Sequence, residues 1–174
     1  MKKISYYIFA ALMCATSLSS CSDMLEEESA VEVDKSKYMN NASEAETVLL
    51  GVYRNMVTDA LYSYNLSILF NITNDIAQCE GNSTNAFREI PANAFTTSNS
   101  SVQSTWSTLY NSIYNANDFI ETLESKVGNY TEGDKKLANI YMAEARALRG
   151  LYYFELVRWY GNIALMKNCL LYTS

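Results

Sequence analysis

Three stretches of this chain repeat apolar residues every three to four positions, and that period restricts it to an architecture of packed helices. The first runs Ala45, Val48, Leu49, Val52, Tyr53, Met56 and Ala60, with Ser43-Glu44-Ala45-Glu46 read as its capping box. The second runs Trp106, Leu109, Tyr110, Ile113, Asn117, Ile120 and Leu123, and the Gly128-Asn129 pair is expected to end it in a left-handed turn. The third is the longest: Leu137, Ile140, Tyr141, Ala145, Leu148, Leu151, Tyr152, Leu156 and Trp159, opened by Thr131-Glu132-Gly133-Asp134 and stopped by Gly161. A single proline and 14 tyrosines among 174 residues suit long helices carrying amphipathic rings. The fold class is therefore mainly all-α, in one domain.

Between these stripes the pattern weakens. Leu61 to Ala77 is apolar and is read as a further helix. Residues 78–101 are rich in Asn, Ser and Thr and carry Phe87, Arg88, Pro91 and Phe95. A loop of that length in a compact domain is expected to serve function or to lack order. Asn117 interrupts an apolar face, so it is expected to be buried and paired with backbone or a helix end. Trp106 and Trp159 fall on the stripes and are expected in the core.

The start of the chain reads as an address. Met1-Lys2-Lys3 is followed by an apolar stretch from Ile4 to Ala15, and then by Leu18-Ser19-Ser20-Cys21. Residues 1–20 form a secretory signal too short to span a bilayer. The last four residues resemble a bacterial lipobox, which makes Cys21 the lipid attachment site; the plainer alternative is an ordinary signal cut near Ser20. Acyl chains on Cys21, at about 0.8 kcal/mol per buried methylene, anchor a protein without a spanning helix. Residues 21–41 hold Asp23, Glu26, Glu27, Glu28, Glu32 and Asp34 and read as an acidic tether. The same acids also resemble the export tag of some surface lipoproteins. Cys79 and Cys169 remain, too few for a disulfide scaffold.

Charge and composition remove whole function classes. The net charge is −6, and residues 47–174 carry eleven acids against nine bases, so no basic footprint for nucleic acid exists. The chain has no histidine, which excludes Ser-His-Asp and Cys-His catalysis and histidine metal sites. Asp75, Glu80 and Glu89 lie near the loop, but nothing marks them as the paired carboxylates of a glycoside hydrolase. No catalytic residue, cofactor or metal is expected.

The segment from Ala143 to Gly161, Ala-Glu-Ala-Arg-Ala-Leu-Arg-Gly-Leu-Tyr-Tyr-Phe-Glu-Leu-Val-Arg-Trp-Tyr-Gly, resembles the signature helix of the SusD/RagB family. The lipobox, the acidic leader, the Glu46–Tyr53 segment and the Trp106, Tyr110, Ile113, Asn117 series fall in that family's order. The chain departs where Gly161-Asn162-Ile163-Ala164 lacks the family's usual proline. The resemblance implies tetratricopeptide-like helical pairs over residues 42–165, incomplete relative to the family. Residues 166–174 are then expected to be a truncated or non-native tail.

The same resemblance implies a lipid-anchored protein of the outer membrane and cell surface. It would capture glycans for a SusC-type TonB-dependent transporter and break no bond. Peptide capture and a helical scaffold without a small ligand are the alternatives. On the ligand side, Asp75 and Arg88 are candidates to hydrogen-bond sugar hydroxyls, or else to pair with each other. Phe87 and Phe95 are candidate stacking platforms, or else anchors that hold the loop down.

Overall fold

The computed structural model describes residues 37–74, 76 and 86–166. Four α-helices organise them: α1 (Ala42–Arg54), the single-turn α2 (Ala86–Glu89), α3 (Ser100–Lys126) and α4 (Glu132–Tyr160). No strand occurs among the described residues. The two long helices form a hairpin, and α1 lies against both.

Helix α1 begins earlier than its sequence suggests. Its N-cap is Asn41, extended at φ −151°, whose side chain accepts the Glu44 N–H at 2.9 Å. The Glu44 carboxylate reaches back to the Asn40 N–H at 2.9 Å. The reciprocal box is thus Asn41/Glu44 and not Ser43/Glu46: asparagine caps as well as serine, and its position lengthens the helix by two residues, about half a turn. Ala45, Leu49 and Val52 point into the core as the stripe requires.

Helix α3 is capped by Asn99 and buries Leu109, Ile113, Ala116, Ile120 and Leu123. It does not end in a left-handed glycine. Val127–Asn129 tighten into a 3-10 turn, and positive φ among the described residues occurs at Met39, Asn93 and Gly161. Thr131 then caps α4, accepting the Asp134 N–H at 3.2 Å. Gly161 ends α4 at φ 75°, its N–H bonded to the Val157 carbonyl.

The buried face of α4 is Ala138, Met142, Ala145, Leu148, Tyr152 and Leu156, whereas Leu137 and Ile140 face outward. In the first turns of this helix the buried position is Ala138 and not Leu137, one residue off the expected stripe. Trp106 is also less buried than expected, 37% exposed, and Trp159 is half-buried. Trp106 packs at the margin against Tyr110 and Tyr160, with ring centroids 4.9 and 5.0 Å away.

Leu61 to Ala77 is not an α-helix over its described part. It is a series of turns with a π-turn at Asn65–Leu69 and a 3-10 turn at Asn71–Thr73. Its short polar side chains capture local backbone: the Asn71 amide donates to Leu66 and Ser67 carbonyls at 3.0 and 2.9 Å, and Thr73 to Phe70 at 2.8 Å. Such bonds compete with the helical ladder. Leu61, Leu66, Leu69 and Phe70 still reach the core.

The tyrosines explain much of the cohesion. Tyr152 donates to the Val52 carbonyl at 2.8 Å and Tyr160 to Val102 at 2.8 Å. Tyr53 donates to Glu144 at 3.0 Å. Tyr110 and Tyr153 each accept from and donate to one residue of the segment after α4, Ala164 and Met166 respectively. Asn117, 2% exposed, donates to the Met166 carbonyl at 3.0 Å and accepts from Arg149 at 2.7 Å. Its structural role is the one its position on an apolar face requires.

Candidate functional site

One side chain, Asn99, holds the connecting segment against α3. Its carbonyl oxygen accepts the Ser101 and Val102 N–H groups at 3.0 and 3.2 Å, capping the helix. Its amide donates to the Ala86 carbonyl at 3.0 Å and to Glu89 Oε2 at 2.7 Å, fixing α2. Ile90, 3% exposed, anchors the same segment in the core.

This staple creates two separate clefts. The larger, about 640 Å³, lies between the turn at Asp59–Asn65, Phe87 and the first turns of α3. Its floor is the buried Asn65 amide, which donates to Thr105 Oγ1 at 2.8 Å, and Thr105 in turn donates to the Ala60 carbonyl at 2.8 Å. Phe87 meets Tyr64 edge to face at 5.3 Å and remains 37% exposed. Asp59, Ser63, Ser100 and Ser104 also line the cleft, with the Ser63 and Ser104 hydroxyls donating to the Val57 and Ser101 carbonyls. An apolar ring beside several hydroxyls and one acid can bind a molecule that has both CH faces and hydroxyl edges.

The smaller cleft, about 220 Å³, is lined by Phe70, Thr73, Asn93, Phe95, Trp159 and Tyr160 among others. Phe95 is 47% exposed there. The Trp159 indole is already engaged: Phe70 lies 4.6 Å from it and the Arg158 guanidinium 4.7 Å over its ring. Its N–H donates to Glu155 Oε2 at 2.9 Å. Glu155 is 3% exposed and also accepts from Tyr62 at 2.8 Å and Arg158 at 2.7 Å. Burial and the neighbouring carboxylate push the Tyr62 hydroxyl well above its ordinary range, so it stays a donor. This network satisfies a buried charge and rigidifies the cleft wall.

The sequence candidates therefore separate. Phe87 lines the larger cleft and Phe95 the smaller, while Arg88, half-buried on α2, lines neither. Asp75 and Cys21 lie outside the described residues. Sequence reasoning did not single out Asp59, Tyr64, Ser100 or Ser104, which are common residue types far apart in the chain. Glu155, an acid between Leu156 and the aromatic run of α4, did carry a readable signal.

Comparison with known proteins decides the family. Residues 23–169 match the SusD-like family described as starch-binding and associating with the outer membrane. The chain belongs to this family. A SusD-like protein of Formosa agariphila is 24% identical over 170 residues, which is 93% of this chain and 31% of that protein. The crystal structure of a SusD homologue from Bacteroides thetaiotaomicron superposes with a TM-score of 0.75 at 58% identity, over 82% of this chain and 27% of that one. The chain thus spans about a third or less of the length of these relatives. The fold is the helical, tetratricopeptide-like one of SusD homologues. SusD-like proteins are binding proteins, and the family is associated with the outer membrane. Among the described residues no helix is long and apolar enough to cross a membrane.

Proposed function

We propose that this protein is a lipoprotein, anchored through Cys21 on the outer membrane and exposed at the cell surface, that captures glycans and delivers them to a SusC-type TonB-dependent transporter. The match of residues 23–169 to a starch-binding, outer-membrane family carries this reading. The Phe87/Tyr64 cleft supports it: an exposed aromatic offers the CH face of a sugar ring a platform, and Asp59, Ser63, Ser100 and Ser104 offer partners for its hydroxyls. Phe95 in the second cleft is a further platform, and Arg88 and Asp75 stay candidate hydrogen-bonding partners for sugar hydroxyls on the sequence reading alone. The acidic residues after Cys21 are the tether between lipid and helices; it ends short of the expected residue 41, because Met39 is buried and Asn41 caps α1.

The test is affinity electrophoresis and calorimetry of the chain from Cys21 onward against soluble starch, other neutral polysaccharides and a set of peptides. A platform that covers about 60 Å² of apolar surface contributes about 1.5 kcal/mol, so Phe87→Ala is expected to weaken glycan binding roughly tenfold. Binding to peptides alone, or glycan binding indifferent to Phe87 and Phe95, overturns the assignment of these clefts. Cys21→Ala is expected to move the protein out of the membrane fraction. A transporter of the SusC type is expected to co-purify with the wild-type protein.

A further inference from the structure

Residues 38–40, just before the Asn41 cap of α1, are gripped more tightly than a linker's end requires. Met39 is 0% exposed and adopts φ 58°, a left-handed conformation that costs a non-glycine residue energy and persists only where its surroundings enforce it. The residues that enforce it come from the far end of the hairpin. Tyr130, buried, donates its hydroxyl to the Met39 carbonyl at 2.5 Å. Lys126 donates to the Tyr38 carbonyl and to Asn40 Oδ1, the latter at 3.2 Å, and its ammonium stands 5.5 Å over the Tyr38 ring. Asn40 is held in addition by Glu44, whose other carboxylate oxygen accepts from Asn41. Tyr38, Met39 and Asn40 are thus each fixed by side chains of the α3–α4 connection or of α1.

We propose that residues 38–40 are a mechanical clamp, which passes tension arriving along the acidic tether into the α3–α4 hairpin instead of into α1. Without it, a pull on the N-terminal side would unzip α1 from its first turn, one hydrogen bond at a time. With it, the pull meets a buried Met39 side chain and a set of cross-element bonds that must break together. Such an arrangement matters for a protein held by its N-terminal end while it engages a partner or a polymer. Its functional meaning therefore rests on the tethered, surface-anchored reading above, although the mechanics do not.

Single-molecule force measurement tests this on the unlipidated chain from Cys21 onward, with one handle at its start and the other after residue 174. The wild-type chain is expected to open with α1 and the hairpin in one step. Tyr130→Phe and Lys126→Gln, which keep most of the packing, are expected to add an early, lower-force step in which α1 leaves alone. With the first handle moved to residue 82, inside the connecting segment, the same variants are expected to behave as the wild type. An early α1 step in the wild-type chain, or variants with unchanged traces, overturns the clamp. Far-UV circular dichroism confirms that the variants fold, and Met39→Ala supplies a further variant that removes the buried side chain. Membrane fractionation of Cys21→Ala reports on anchoring alone, so failure of the clamp and failure of the anchor are separate results.

Discussion

The most exacting prediction concerns Tyr152, which is 0% exposed and donates to the Val52 carbonyl at 2.8 Å. Burial, with Tyr53 nearby as a secondary cause, pushes its hydroxyl from 10.0 up to about 12. In the unfolded chain the group ionises near the lower value, and in the folded chain it keeps its proton. The folded state therefore binds more protons above pH 10, and stability falls as pH rises. The contribution is intact below pH 10 and is lost through the window up to about pH 12, amounting to roughly 3 kcal/mol in all. Tyr152→Phe forfeits one hydrogen bond, about 1 kcal/mol near neutrality, but removes this proton from the balance. Urea unfolding followed by far-UV circular dichroism between about pH 8 and pH 11.5 should show the wild type more stable at first. The two curves should then meet between about pH 10.5 and pH 11, where the loss at this site reaches the roughly 1 kcal/mol of that hydrogen bond. Tyr62 and Tyr160 are shifted in the same direction and steepen both curves equally. Parallel curves for wild type and variant would show that Tyr152 ionises no differently in the two states, and would refute the reasoning.

Other changes have comparably definite outcomes. Asn99→Ala removes the cap of α3 and both bonds to α2; it should cost about 1 kcal/mol for the cap, speed hydrogen exchange across residues 86–98 and weaken ligand binding at the larger cleft. Gly161→Ala meets open space for its new methyl group but keeps φ 75°, so it should cost about 2 kcal/mol of backbone strain and lower Tm by roughly 5–10 °C. Asn117→Ala takes the Asn117 acceptor from Arg149 and one of two donors from the Met166 carbonyl, leaving Tyr153 as the other; it should cost about 1–3 kcal/mol and expose residues 162–166 to proteolysis before the helices unfold.

The helices were legible because their burial has a period. Ala45, Leu49 and Val52 in α1, Leu109, Ile113 and Ile120 in α3, and Ala145, Leu148, Tyr152 and Leu156 in α4 all lie where a 3.6-residue repeat puts them. Local chemistry was legible only where competing residues were few. Thr131 caps α4 as its sequence suggests, whereas Ser43, read as the cap of α1, lies inside the helix and Asn41 two residues earlier caps it. The 61–77 segment misled because its apolar content is real while its asparagines and threonine divert the backbone bonds that a helix needs. The larger cleft was invisible for a different reason. Asp59, Phe87 and Ser104 meet only because Asn65 bonds across 40 residues to Thr105, a contact with no periodic trace in the chain.

The length of α3 relates the candidate cleft to the candidate mooring. Ser100 and Ser104, in its first turns, border the larger cleft, and Asn99 just before it staples the segment that carries Phe87. Lys126, its last residue, and Tyr130 just beyond it grip residues 38–40. A helix of 27 residues, rising 1.5 Å per residue, separates those ends by about 40 Å. The same rod therefore borders the candidate cleft at one end and holds the start of the described chain at the other. Its stiffness comes from burial along its whole length, from Leu109 to Leu123, against α1 and α4. A bundle that moored its chain beside the cleft would let the tether crowd the site. Fixing it at the opposite end of a buried helix puts the start of the described chain about 40 Å from the cleft, and for that purpose the helices need only be long, rigid and well packed.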